Sequence, residues 1–256
     1  MEYTTAIILA AGAGKRMHAD CRKQYLLLEE KPLLYYAIKA CEQADCIRSI
    51  VLVVGTGEES YVREQIVEAY DCHKVEAIVA GGAERYHSVA AGLEALAKMR
   101  EQGYLCDYVL IHDGARPFLT EDILTRGLAG AREYGACVIG MPVKDTIKIA
   151  DSEGYIATTP NRNQVWMIQT PQIFSYTLVK HAYEQLLCHE EELLQQGIHI
   201  TDDAMVVETY TDTQIRLIKG SYQNIKITTP EDLQIAEVFL RAERKEKFTN
   251  VVDTKK

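Results

Sequence analysis

The sequence predicts an α/β fold: a doubly wound, mostly parallel open sheet with an extended β-arm. Three observations carry that expectation. Short apolar runs rich in β-branched residues recur along the chain, the segments between them show helical periodicity, and the rhythm breaks once, between residues 142 and 172. Nearly continuous apolar strands suit a sheet covered on both faces, and strand–helix alternation suits right-handed crossovers between parallel strands.

In chain order, "TAIILA" (5–10), "SIVLVVG" (49–55), "VEAIVAGG" (75–82), "DYVLIHD" (107–113) and "GACVIGM" (135–141) read as strands. Between them, "PLLYYAIKACEQA" (32–44) places Leu34, Ile38 and Cys41 on one helical stripe. "ERYHSVAAGLEALAKMR" (84–100) does the same with Val89, Leu93, Leu96 and Ala97. Residues 142–172 alternate β-prone residues with turn signals such as Ser152-Glu153-Gly154. They predict a β-hairpin arm, which either reaches for a partner surface or folds back on its own domain. Helical patterning returns from Tyr176 to Gln196. "GSYQNIKIT" (220–228) reads as a late strand bearing Lys226, and "TTPEDLQIAEVFL" opens a last helix with Thr229 as N-cap and Pro230 in the first helical position. No internal repeat or low-complexity linker divides the chain. Residues 1–240 therefore read as one domain with the arm at about 142–172, followed by a charge-dense tail, 241–256, expected to fray.

Composition narrows the function. The 256 residues carry a net charge of −9, with 47% hydrophobic and 25% charged residues, the balance of a folded protein rather than a disordered one. An acidic chain without a basic stripe argues against nucleic acid as a partner. No apolar run reaches the roughly 18–20 residues of a membrane span. Glu2 stands where a signal peptide carries basic residues. No membrane contact and a cytoplasmic location are expected. The seven cysteines are scattered, odd in number and without a C-x-x-C pair, which reads as reduced thiols.

Against this acidic background, "LAAGAGKRMHADCRKQY" (9–25) gathers Lys15, Arg16, Arg22 and Lys23 with Gly12 and Gly14 in one loop after a strand. Such a loop can aim backbone N–H groups at phosphate, helped by the dipole of a following helix. It spells neither G-x-x-x-x-G-K-[ST] nor G-x-G-x-x-G. Ligands of open α/β sheets sit outside the carboxyl ends of the strands. That rule brings the loop together with "GGAERYHSV" (81–89) and "HDGARPF" (112–118). In the first, the glycines let backbone approach a planar base and Ser88 offers a hydroxyl. In the second, Asp113 ends a buried strand, a place for a ribose hydroxyl or a metal ion, and Arg116 can pair with it or meet an anion. A turn cap with an arginine partner is the plainer alternative, and His112 reads as an ordinary strand residue. Cations outnumber candidate general bases, and neither a nucleophile elbow nor a histidine-rich metal cluster is present in the sequence. That inventory fits phosphoryl or nucleotidyl transfer assisted by Mg²⁺, which binds through a carboxylate or two plus substrate phosphates.

Taken together, "AAGAGKRM…KQYL", "GGAERYHSV", "HDGARPF", "PVKDTIK", "NRNQVWMIQTPQ", "ITDDA" and "NIKITTPEDL" resemble, in order, the 2-C-methyl-D-erythritol 4-phosphate cytidylyltransferase family, over residues 5 to 240. The resemblance implies a nucleotide-diphospho-sugar transferase-like fold and attack of the methylerythritol phosphate group on the α-phosphorus of CTP, with Mg²⁺ or another divalent cation. By motif it implies that Arg16 and Lys23 stabilise the transition state and that Lys226 meets the α-phosphate. Ala10, Ala11, Gly12, Gly14, Gly82 and Ser88 would hold CTP, with Asp113 facing ribose, metal or the sugar substrate. Thr146 and Arg162 on the arm would hold methylerythritol phosphate from the neighbouring subunit of a homodimer, with Arg116 and Thr170 nearby. Two departures from the pattern stand out: Arg22 occupies a position where proline is common, and Gln223 one where an acid is frequent. A pentitol-phosphate (ribitol 5-phosphate) cytidylyltransferase is the neighbouring alternative, and a non-catalytic nucleotide-binding regulator the alternative from another class.

Overall fold

The structure, a computed structural model, describes residues 2–12 and 22–253. Gly14 and Arg16 lie outside the described residues. The strands are β1 (Thr4–Ala10), β2 (Leu27–Leu28), β3 (Lys31–Pro32), β4 (Ser49–Val54), β5 (Val75–Ala80), β6 (Tyr108–Asp113), β7 (Ala136–Pro142), β8 (Ile149–Ala150), β9 (Ile156–Thr158), β10 (Trp166–Ser175) and β11 (Arg216–Lys219). The helices are α1 (Leu33–Gln43), α2 (Glu59–Val62), α3 (Arg85–Glu101), α4 (Glu121–Tyr134), α5 (Tyr176–Cys188), α6 (Glu190–Gln195), α7 (Asp203–Tyr210) and α8 (Pro230–Asp253). Helix α2 continues as one π-helical stretch, Arg63–Glu68.

Among the described residues, seven strands form one sheet in the order β11-β7-β10-β6-β1-β4-β5. All neighbours are parallel except β10, which runs antiparallel to both β6 and β7. The doubly wound, mostly parallel expectation is thus what the chain folds into. Side chains alternate across β1: Ala6, Ile8 and Ala10 pack under α1, in a cluster that α4 also joins, and Ile7 under α3, all fully or almost fully buried. A strand buried on both faces has no polar side to show, which is why "TAIILA" reads as a continuous apolar run. A third cluster seats α8 on the β2–β3 ribbon through Leu28, Leu33, Phe118, Ile227, Ala236 and Leu240.

Local chemistry explains the element ends. Helix α4 starts at Thr120, whose hydroxyl accepts from the Ile123 N–H, and stops at Gly135 with φ +79°, a conformation that favours glycine. Helix α8 starts as expected: Thr229 Oγ1 accepts from the Asp232 N–H at 3.4 Å, and the Asp232 carboxylate accepts in return from the Thr229 N–H at 2.9 Å.

Three expectations change. Residues 220–228 form no strand; the strand lies just before them, at β11, and Lys226 stands on an extended loop. The loop keeps its course because the buried Asn224 side chain donates to the Thr170 carbonyl at 2.9 Å and the Ile227 N–H donates to the Ala115 carbonyl. The arm keeps only a short β8–β9 ladder, and the segment from Trp166 onward returns into the middle of the main sheet as β10. Third, α8 runs on to Asp253, through most of the stretch read as a fraying tail.

Candidate active site

Register aligns the site. Leu9 pairs with Asp113, Ala10 with Val54 and Val54 with Ala80, so β6, β1, β4 and β5 end side by side. Beyond these ends opens a cleft of about 450 Å³. It is lined by Ala10, Ala11, Gly12, Lys23, Gly82, Ser88, Asp113 and Lys226, and also by Arg22, Glu84 and Arg85. The cleft therefore gathers nine of the residues singled out in the sequence, Arg22 among them. Thr146 and Arg162 are exposed on the arm and do not line this cleft; the Arg162 guanidinium donates to the Lys144 carbonyl at 3.2 Å.

The turn before α3 is built for close approach. Ser88 Oγ accepts from the Gly82 N–H at 3.2 Å and donates to the Glu84 carbonyl at 3.3 Å. A Cβ on Gly81 would stand 2.7 Å from that hydroxyl. Glu84 and His87 close a capping box over the first turn.

Asp113 stands at the floor, ringed by cations. Lys226 Nζ is 2.8 Å from its Oδ2, Arg116 Nε 3.7 Å from the same oxygen, and Arg85 Nε 3.6 Å from Oδ1. Burial alone would raise the carboxyl pKa, but Lys226, then Arg85 and Arg116, outweigh it and hold the group well below the usual carboxylate range. Arg116 is almost buried behind Asp113 and donates to the Asn224 carbonyl at 2.8 Å. Thr170 is also buried, and its hydroxyl accepts from the Asp113 N–H at 3.0 Å. Both residues therefore meet the cleft through Asp113.

Arg85, Asp203 and Asn224 are functional candidates that reading the sequence did not reach. Arg85 forms a two-pronged pair with the fully buried Asp203 at 2.7 and 2.8 Å, and Tyr183 Oη donates to Asp203 Oδ1 at 2.6 Å. A cation in the first position of a helix opposes the helix dipole, so it signals a nearby carboxylate. That signal was available in "GGAERYHSV". Asn224 gave none, because nothing in its neighbourhood shows that its side chain turns inward.

His112 is fully buried beneath the site. Its Nε2 lies 3.2 Å from the Arg116 carbonyl and its Nδ1 3.0 Å from the Thr170 hydroxyl. A carbonyl only accepts, so Nε2 carries the proton and the Thr170 hydroxyl donates to Nδ1. Burial lowers the His112 pKa from 6.5 to about 4. Between those values the unfolded chain binds more protons than the folded one. Stability present above the ordinary histidine pKa is therefore lost as pH falls towards the folded value. The stability advantage of wild type over His112→Asn, measured by chemical denaturation, is expected to shrink by about 2 kcal/mol between about pH 7 and about pH 5. An advantage that does not change with pH contradicts a neutral buried imidazole.

Comparisons with known proteins place the chain in a family. A family model described as 2-C-methyl-D-erythritol 4-phosphate cytidylyltransferase matches residues 4–242. A relative of that name from Lachnoclostridium phytofermentans is 48% identical over 241 residues, covering 94% of this chain and 97% of its own. Another from Alkaliphilus oremlandii is 46% identical, covering 94% and 96%. The crystal structure of a 4-diphosphocytidyl-2C-methyl-D-erythritol synthase from Anaerococcus prevotii superposes with a TM-score of 0.78 at 33% identity, over 94% of this chain and 96% of that one.

Proposed function

The chain belongs to the 2-C-methyl-D-erythritol 4-phosphate cytidylyltransferase family, and from that premise we propose that it transfers the cytidylyl group of CTP to 2-C-methyl-D-erythritol 4-phosphate, releasing pyrophosphate. The observation that carries this reading is Asp113 with its three cations on the floor of the cleft. A carboxylate compensated in this way keeps cations desolvated and aimed before any substrate arrives.

In the reaction an oxygen of the methylerythritol phosphate attacks the α-phosphorus. The new P–O bond forms as the bond to the bridging oxygen of the β-phosphate breaks, and pyrophosphate leaves. Negative charge grows on the α-phosphoryl oxygens and on the leaving group. Lys23, Arg16 and Lys226 oppose it, and Ala10, Ala11, Gly12 and Gly14 bring backbone up to the nucleotide. Gly82 and Ser88 hold the cytosine edge. Asp113, fixed by Arg116 from behind and by Thr170 at its backbone, holds the sugar-phosphate side through Lys226. The arm brings Thr146 and Arg162 to the cleft of a second copy, which makes the active unit a homodimer.

Among the described residues, no three His, Cys, Asp or Glu side chains gather as a metal site. The donor set fits an ion carried mainly by substrate phosphates, with Asp113 as a protein carboxylate that would meet it through Oδ1, which Arg85 contacts only at 3.6 Å while Lys226 takes Oδ2. Magnesium bound there would screen the triphosphate and stabilise the departing pyrophosphate. No helix among the described residues is long and apolar enough to cross a membrane. The reading places the enzyme in the cytoplasm.

Purified protein with CTP, Mg²⁺ and methylerythritol phosphate is expected to release pyrophosphate in step with consumption of the acceptor, and to release almost none when the acceptor is left out. No turnover under these conditions overturns the enzymatic reading and favours a nucleotide-binding regulator.

A further inference from the structure

Arg22 lines the cleft beside Lys23, yet its guanidinium is held by protein groups. Its Nε is 2.6 Å from Glu58 Oε1, and its Nη1 donates to the Ala11 carbonyl at 2.9 Å. The other carboxylate oxygen, Glu58 Oε2, accepts from Tyr25 Oη at 2.7 Å and from the Gly55 N–H at 3.1 Å. The packing is tight: a Cβ on Gly55 would stand 2.6 Å from Glu58 Oε2 and collide with the Arg22 guanidinium.

One carboxylate thus fastens the 3-10 turn Lys23–Tyr25 from both sides, through Arg22 just before it and Tyr25 at its end. It ties the turn to the end of β4 through Gly55, and Arg22 extends the tie to the end of β1 through Ala11. Within the turn, Gln24 is buried and donates to the Ala10 carbonyl. Lys23 sits between these anchors and lines the cleft. A lysine is a point charge on a flexible stem, so its placement depends on where the backbone holds its Cα.

We propose that Glu58 is a positioning residue for Lys23, acting through Arg22 and Tyr25; the inference rests on Lys23 being a cation of the phosphoryl-transfer site. A misplacement of about 1 Å can cost on the order of 10²-fold in rate. Glu58→Gln keeps the shape but removes the charge and one acceptor.

The test is pyrophosphate release from CTP and methylerythritol phosphate by wild type, Glu58→Gln, Arg22→Gln, Lys23→Ala and the two double variants Glu58→Gln/Arg22→Gln and Glu58→Gln/Lys23→Ala. Glu58→Gln and Arg22→Gln are each expected to lower kcat about tenfold, with the KM for methylerythritol phosphate changed by less than about twofold. Their double variant is expected to be no slower than either one, because both break the same tie. Arg22→Lys, which keeps the charge without the fork, is expected to recover part of the loss. In the Lys23→Ala background, Glu58→Gln is expected to cost less than about twofold more. If Glu58→Gln and Arg22→Gln leave kcat near wild type, or if Glu58→Gln costs the same factor with and without Lys23, the proposal is overturned while the role of Lys23 stands. If Lys23→Ala itself keeps wild-type kcat, that role falls and the proposal falls with it.

Discussion

Lys226→Ala is expected to lower kcat by about 10²- to 10³-fold, the scale of losing one preorganised contact to developing charge. In the free protein Lys226 Nζ rests 2.8 Å from Asp113 Oδ2, on a loop fixed by Asn224 and by the Ile227–Ala115 hydrogen bond. The ammonium is therefore already at the cleft floor when substrate arrives, and a phosphate oxygen exchanges for one partner rather than ordering a free chain. Its removal has a second consequence. The Asp113 carboxylate would keep only the longer contacts to Arg85 and Arg116, at 3.6 and 3.7 Å. Because Asp113 is buried, losing its nearest cation also lowers the melting temperature, so the rate is read at a temperature where the variant is fully folded. Single-turnover rates of cytidylyl transfer check this. A loss smaller than about tenfold would mean that Lys226 compensates Asp113 and does nothing at the reacting phosphate.

Mixing two inactive variants, Arg16→Ala and Arg162→Ala, is expected to restore about a quarter of wild-type activity. The arithmetic follows from an exchanged arm. Random reassortment makes about half of the dimers mixed, and in each mixed dimer one site collects both lesions while the other collects none. Half of the dimers with one site of two gives the quarter. The supporting observation is that Arg162 and Thr146 are exposed on the arm and do not line the cleft of their own chain, so the roles proposed for them require a cleft elsewhere. Exposed Tyr155 and Ile156 near the arm tip are the apolar surface such an exchange would cover. Mass spectrometry of the mixture confirms that mixed dimers form. Mixed dimers without activity contradict an intersubunit site.

The parts of this fold most legible in the sequence are those with the least polar detail. β1, β4, β6 and β7 are buried on both faces, so burial alone writes their apolar runs, and the helices over them repeat at the helical period. β10 hid because its first half reads as part of the arm and its central residues lack an apolar run. Gln169, Thr170 and Gln172 are polar and Pro171 breaks the run, yet all three polar side chains are buried. The register shifts between Ile168 and Gln172, which takes Thr170 and Pro171 out of the ladder. Gln169 donates instead to the Ser221 carbonyl and Gln172 to Asp202. β11 hid because it is a short edge strand with exposed lysine and arginine.

At the site, the glycine-rich turns and Asp113 were legible because strand ends and loops announce themselves. The supporting pairs were not. Arg85 and Asp203 are 118 residues apart, and Arg22 and Glu58 meet only once β1 and β4 lie side by side. Charge pairing across that distance has no local pattern. Arg22 shows the consequence: the sequence marks it only as a departure from the family pattern, and it is the position of Glu58 that assigns it to the scaffold.

The central claim is that this cleft joins CTP to methylerythritol phosphate in particular. It is tested most directly by offering the enzyme methylerythritol phosphate and ribitol 5-phosphate together, at equal concentrations, with limiting CTP and Mg²⁺, and weighing the products by mass spectrometry. The expected result is diphosphocytidyl methylerythritol in large excess over the ribitol product. A mixture dominated by cytidyl diphosphoribitol would contradict it and move the enzyme to the pentitol-phosphate branch.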